Sequence, residues 1–81
     1  MNVRVRLFAA ARQAAGSDWL EVQLSEQATV GQLRRRLAEQ SPPLASLLQR
    51  ATFAVDAEYA GDTAKIPAGA EVACIPPVSG G

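Results

Sequence analysis

Little in this sequence can act on a substrate directly. Histidine is absent, Cys74 is the single cysteine, and eight Lys plus Arg balance eight Asp plus Glu. Without histidine the commonest general base and metal ligand are missing. A Cys/His zinc site and a Ser/His or Cys/His nucleophile pair are therefore excluded, and no metal is expected. The residues that can still carry chemistry stand in the stretch "EVACIPPVSGG". Pro76-Pro77 favours an extended, semi-rigid exit from a strand. Gly80 and Gly81 form a thin tip free of Cβ restrictions. The six residues from Pro76 to Gly81 reach at most about 20 Å. Such a tail can thread a narrow tunnel and present the Gly81 carboxyl group to another protein's active site. The alternative is a solvated end with no function.

Three other candidates have competing readings. A reactive Cys74 needs exposure and a lowered pKa, yet it stands among apolar strand residues, where a free cysteine usually serves as a small buried hydrophobe. Arg34, Arg35 and Arg36 cannot share one helix face, so the run reads as solvated helix surface. Phe8 is either an exposed aromatic anchor or the cover of a helix.

The elements that must position these residues follow from periodicity. "NVRVRLFA" alternates, with Val3, Val5 and Leu7 on one face and Arg4, Arg6 and Phe8 on the other, which predicts a half-buried strand. "AAARQAAG" predicts a short helix stopped by Gly16. "WLEVQL" predicts a second strand, with Leu20, Val22 and Leu24 opposite Trp19, Glu21 and Gln23. Thr29 and Gln32 form a capping-box pattern before the Val30, Leu33, Leu37 stripe, predicting a helix from Val30 to Gln40 that Pro42 and Pro43 end. "LASLLQR" suggests a further helical turn. "TFAVD" and "EVACI" read as strands, the second with Val72 and Cys74 on one side. "AEYAGD" and Pro67 to Gly69 read as turns.

One good helix over a sheet with one wet face is an α+β two-layer domain. First and last strands lying side by side and parallel would make it a ubiquitin-like β-grasp, with a mixed sheet packed by one main helix and short helices. Eighty-one residues allow one domain, 1–81, with 76–81 as an extended C-terminal tail. The zero formal charge argues against a general nucleic-acid binder. No apolar run approaches the ~20 residues of a membrane span, and no signal-peptide segment opens the chain. With one cysteine and no internal disulfide, a cytoplasmic setting is expected.

Three segments carry a more specific signal. "FAAARQAAG" (Phe8 to Gly16), "VDAEY" (Val55 to Tyr59) and above all "GAEVACIPPVSGG" (Gly69 to Gly81) resemble the small, sulfur-carrying subunit of molybdopterin synthase. Ala70 departs from the family's usual acidic residue, Asp56 from its asparagine and Cys74 from its bulky aromatic. The resemblance implies that Gly81 is adenylated and then converted to a thiocarboxylate. Gly80 would give clearance, while Pro76, Pro77, Val78 and Ser79 position and thread the tail. It implies two partners. One is a ubiquitin-activating-like adenylating enzyme that uses ATP; the other is a large catalytic subunit, two copies of each chain forming the synthase. There sulfur passes to a cyclic pterin phosphate on the way to the molybdenum cofactor. The chain would be no enzyme alone and hold no cofactor. Arg12 matches a family arginine, making Phe8, Arg12 and Cys74 candidates for the partner interface. Carriers for thiamine or tRNA thiolation and ubiquitin-like modifiers share the fold and the Gly-Gly end. A plain interaction module with an inert tail is the remaining alternative.

Overall fold

The alternation of the first strand is realised residue by residue. In β1 (Asn2–Leu7) Val3, Val5 and Leu7 are buried while Asn2, Arg4 and Arg6 are exposed. The computed structural model describes residues 1–77; Val78, Ser79, Gly80 and Gly81 lie outside the described residues. After β1 come helix α1 (Ala9–Ala15), β2 (Trp19–Gln23), α2 (Val30–Gln40), a 3-10 turn (Pro42–Leu44), α3 (Ala45–Leu48), β3 (Thr52–Val55), β4 (Glu58–Ala60) and β5 (Val72–Ile75). The strands form one mixed sheet in the order β2-β1-β5-β3-β4. β1 and β5 are parallel and adjacent at its centre, and the other pairings are antiparallel. This is the expected β-grasp topology.

Local chemistry sets the helices. Gly16 closes α1 in the left-handed region, φ 73°, and its N–H donates to the Arg12 carbonyl. Thr29 Oγ1 accepts from the Gln32 N–H, and Gln32 Oε1 accepts from the Thr29 N–H at 2.8 Å. This capping box satisfies orphan donors of α2. Val30, Leu33 and Leu37 then face the sheet fully buried, against Val5, Leu7, Val22, Phe53, Val72 and Cys74.

Two segments read as turns do more. Glu58–Ala60 of "AEYAGD" is strand β4, paired with β3 as Phe53↔Ala60, Ala54↔Tyr59 and Val55↔Glu58. The turn is only Asp56-Ala57, both left-handed at φ 49° and 68°. That is the backbone of a two-residue hairpin written without its usual glycine. Before Pro67, Ile66 is buried: its N–H donates to Ala28 O, and Ala64 O accepts from Val30 N, both at 2.9 Å. The expected turn at Pro67 to Gly69 is present, with the Ala70 N–H donating to Pro67 O and Gly69 at φ 79°.

Candidate functional site

The site begins with β5, because β5 leads into the tail. It is held on both sides, to β1 by Val5↔Val72, Arg6↔Ala73 and Leu7↔Cys74, and to β3 by Thr52↔Ile75 through Val55↔Val72. Proline has no N–H for a ladder, so β5 stops at Ile75. Pro76 is buried and Pro77 exposed. The tail expected from Pro76 thus starts on a residue still packed into the body. A central strand anchored this way fixes the position and direction from which the following residues leave. The calls on Val78, Ser79, Gly80 and Gly81 lie outside the described residues.

Paired residues share a face of a sheet. The registers therefore place Trp19, Arg6, Ala73, Ala54 and Tyr59 in one row across the face opposite the helices. Ile75 and Thr52 form the next row toward the tail. Phe8 follows β1 at that end, 40% exposed, and Tyr59 is 77% exposed. The Arg6 guanidinium lies 5.3 Å from the Phe8 ring centroid and 5.6 Å from that of Trp19, and Arg4 lies 4.2 Å over Trp19. Among the alternatives for Phe8, the exposed aromatic is the one found. Trp19 and Tyr59, of the adjacent row, were not singled out from sequence. The alternation grouped Arg4, Arg6 and Phe8, and separately Trp19, but cannot say which strands pair.

Arg12 is exposed on α1 and faces Asp18, with Nη1 to Oδ1 at 3.6 Å. It stands on the surface, as an interface role requires. Cys74 does not. It is fully buried between Leu7 and Phe53 in the ladder, so the expectation of a partner contact there is corrected. Period-two geometry turns its side chain into the core and leaves Ala73 and Ile75 to the outer face. Burial pushes the Cys74 thiol up to about 11, with the Arg34 guanidinium pulling weakly the other way. A thiol held protonated is a poor nucleophile.

Arg34 departs from the expected solvated run. Its Nη1 donates to the carbonyls of Leu48 and, at 2.6 Å, Ala51. Its Nη2 meets Asp62 Oδ1 at 2.8 Å, and the guanidinium lies 5.0 Å from the Phe53 ring centroid. It therefore ties α2 to α3, to the start of β3 and to the 61–66 segment. Arg35 and Arg36 are exposed, Arg36 facing Glu39 at 3.6 Å.

Among the described residues no group of three or more His, Cys, Asp or Glu could hold a metal ion. Nor is any helix there long and apolar enough to cross a membrane. The arrangement supplies a surface and an anchored exit.

Comparison with known proteins narrows the class. A chain from Chlamydomonas reinhardtii named molybdopterin synthase sulfur carrier subunit is 34% identical over 83 aligned residues covering all of both chains. The crystal structure of SAMP1 from Haloferax volcanii, a small archaeal modifier protein, superposes with TM-score 0.86 at 29% identity over all of both chains. In a complex of subunits 1 and 2 of molybdopterin-converting factor from Helicobacter pylori, one chain matches at TM-score 0.69 and 20% identity, again over all of both chains. That last likeness speaks to the fold alone. The ThiS family model matches residues 5–81. With a β-grasp sheet, an anchored exit from its central strand and a match over nearly its whole length, the chain belongs to the ThiS family.

Proposed function

We propose that this chain is the sulfur-carrying subunit of molybdopterin synthase, and that Gly81 is its reacting residue. The observation that carries the reading is the position of β5. The strand leading into "PPVSGG" is central, paired on both sides, and closed by a buried proline. The curated relative from Chlamydomonas reinhardtii supports it.

The chemistry follows from the carboxylate. Its charge is delocalised and its oxygen leaves badly. Attack of the Gly81 carboxylate on the α-phosphorus of ATP expels pyrophosphate and leaves an acyl adenylate. Hydrogen sulfide, supplied as the sulfur source, then attacks the carbonyl carbon, AMP departs with the bonding electron pair, a proton is released, and a thiocarboxylate remains. Its sulfur is more nucleophilic than the oxygen it replaces. Within the large subunit that sulfur passes to a cyclic pterin phosphate. Acids, bases and anion-binding groups come from the two partners, an ATP-using adenylating enzyme and the large subunit, in a cytoplasmic assembly of two copies each. The chain itself holds no cofactor. The Helicobacter pylori neighbour occurs in a complex of subunits 1 and 2. The outer sheet face around Ile75, with Phe8 at its tail-side end, is the proposed docking surface, and Arg12, exposed on α1, is a further proposed contact, since aromatic and Arg residues are enriched at such interfaces.

The test is sulfur transfer with purified partners. Deleting Gly81 should abolish it. Gly80→Val should also fail, because a β-branched side chain stiffens and widens the tip. One residue added after Gly81 moves the carboxyl group by up to about 3.6 Å. Misplacement of ~1 Å already slows a reaction about a hundredfold. Full activity of the extended chain, with no trimming, would overturn the mechanism.

The similarity to an archaeal modifier protein supports a second reading, in which an amine rather than a sulfur nucleophile takes the same acyl group. An isopeptide-linked product in place of a thiocarboxylate would decide for it.

A further inference from the structure

The outer sheet face divides into two halves of different character. Toward the tail lie Phe8, Ile75, Thr52, Trp19, Ala73 and Tyr59, uncharged, with Arg6 among them. Away from the tail, Arg4 stands opposite Glu21 on β2, and Glu71 precedes β5. Arg6 is thus the charged strand residue of the tail-side half, although the Arg4 guanidinium reaches over Trp19, 4.2 Å from its ring centroid, and exposed Arg50 precedes β3 at that end. Among the described residues, the ion pairs within 4 Å are Arg12–Asp18, Arg34–Asp62 and Arg36–Glu39, and none includes Arg6. Its guanidinium instead lies near two rings, those of Phe8 and Trp19. Rings attract the cation and reduce its freedom without using its N–H donors. These contacts leave the planar fork of donors unspent on any ion pair among the described residues, and such a fork binds a carboxylate bidentately.

Resting on the proposed function, we infer that Arg6 selects the cognate large subunit by pairing with a carboxylate on it, at the centre of the docked sheet face. The occupant is a protein surface that is apolar with an acidic side chain set into it. Continuity with the exit of the tail argues for that occupant, and the positive charge of Arg6, outside the ion pairs among the described residues, sets the charge it must carry. A guanidinium buried by docking without a carboxylate would lose water and gain nothing. The Phe8 and Trp19 rings act as positioning groups for Arg6.

The experiment measures the affinity of the full chain for the purified large subunit encoded by the same genome, for wild type, Arg6→Gln and Arg6→Glu. Thermal melts of each variant alone confirm folding, which an exposed side chain should leave unchanged. Arg6→Gln should weaken binding roughly tenfold and Arg6→Glu about a hundredfold or more. Raising salt from about 0.05 M to about 0.5 M should weaken the wild type more than Arg6→Gln. Equal affinity of all three chains overturns the inference and leaves the proposed function standing. No binding by the wild type overturns both. Self-association of the wild type at micromolar concentration, lost in Arg6→Glu, would assign the face to a second copy and also overturn it.

Discussion

Asp56 and Glu71 hold each other through both faces of a backbone exchange. The Asp56 N–H donates to the Glu71 carbonyl at 2.8 Å, and Asp56 Oδ1 accepts the Glu71 N–H at 3.0 Å. The turn between β3 and β4 is thereby clamped to the residue before β5, the strand from which the tail leaves. One oxygen of the side chain, Oδ1, accepts this bond. Asp56→Asn keeps that acceptor and should leave the denaturant midpoint nearly unchanged, while Asp56→Ala should lower stability by about 1 kcal/mol.

Beside it, Ala57 occupies the left-handed region at φ 68°. A Cβ there costs roughly 1–2 kcal/mol that glycine avoids. Ala57→Gly creates the Asp-Gly pair that this hairpin turn favours. It should raise stability by about 1 kcal/mol, read as a shifted urea midpoint at unchanged slope.

Cys74 makes stability depend on alkaline pH. Its folded thiol sits at about 11, against an ordinary value of 9.0. Below pH 9 both folded and unfolded chains keep the proton, and the thiol has no pH effect. Between pH 9 and 11 the unfolded chain ionises first, so stability falls as pH rises, by roughly 2–3 kcal/mol in all. Cys74→Val should remove this part of the alkaline loss. Parallel pH profiles of wild type and variant from about pH 8 to about pH 10.5 would refute the assignment.

Arg34 should behave unlike its neighbours. Its guanidinium satisfies the carbonyls of Leu48 and Ala51 and pairs with Asp62. Charged hydrogen bonds of this kind are each worth about 1.5–3 kcal/mol. Arg34→Ala should therefore destabilise by roughly 2–4 kcal/mol. Arg35→Ala, at an exposed position, should change stability by less than about 0.5 kcal/mol. Equal effects would return Arg34 to the solvated surface.

What the sequence disclosed depended on how local the determining interactions are. The ends and buried face of α2 were readable because Thr29, Gln32, Leu33 and Leu37 carry them within a few residues. Alternation placed Val3, Val5 and Leu7 inward and Arg6 and Phe8 outward. β4 was missed because its turn uses Asp56-Ala57, which lacks the glycine that marks such turns. Arg34 was indistinguishable from Arg35 because its acceptors, Leu48 and Ala51, come from another part of the chain. The row from Trp19 to Tyr59 required strand order, which periodicity does not contain. Cys74 was open because burial and reactivity depend on what packs against the strand, and the core cluster that buries Cys74 is drawn from distant parts of the chain. The tail residues Val78 to Gly81 lie outside the described residues, so their role rests on their chemistry and on kinship.

The central claim is that the Gly81 carboxyl group exchanges an oxygen for sulfur. The most direct measurement is the intact mass of the full chain after incubation with ATP, the adenylating partner and a sulfide source, followed by fragmentation of the C-terminal peptide. The account predicts a mass gain of one oxygen-to-sulfur exchange, dependent on ATP, located on Gly81 and unchanged in Cys74→Val. An unmodified terminus, or added sulfur found on Cys74, would contradict it.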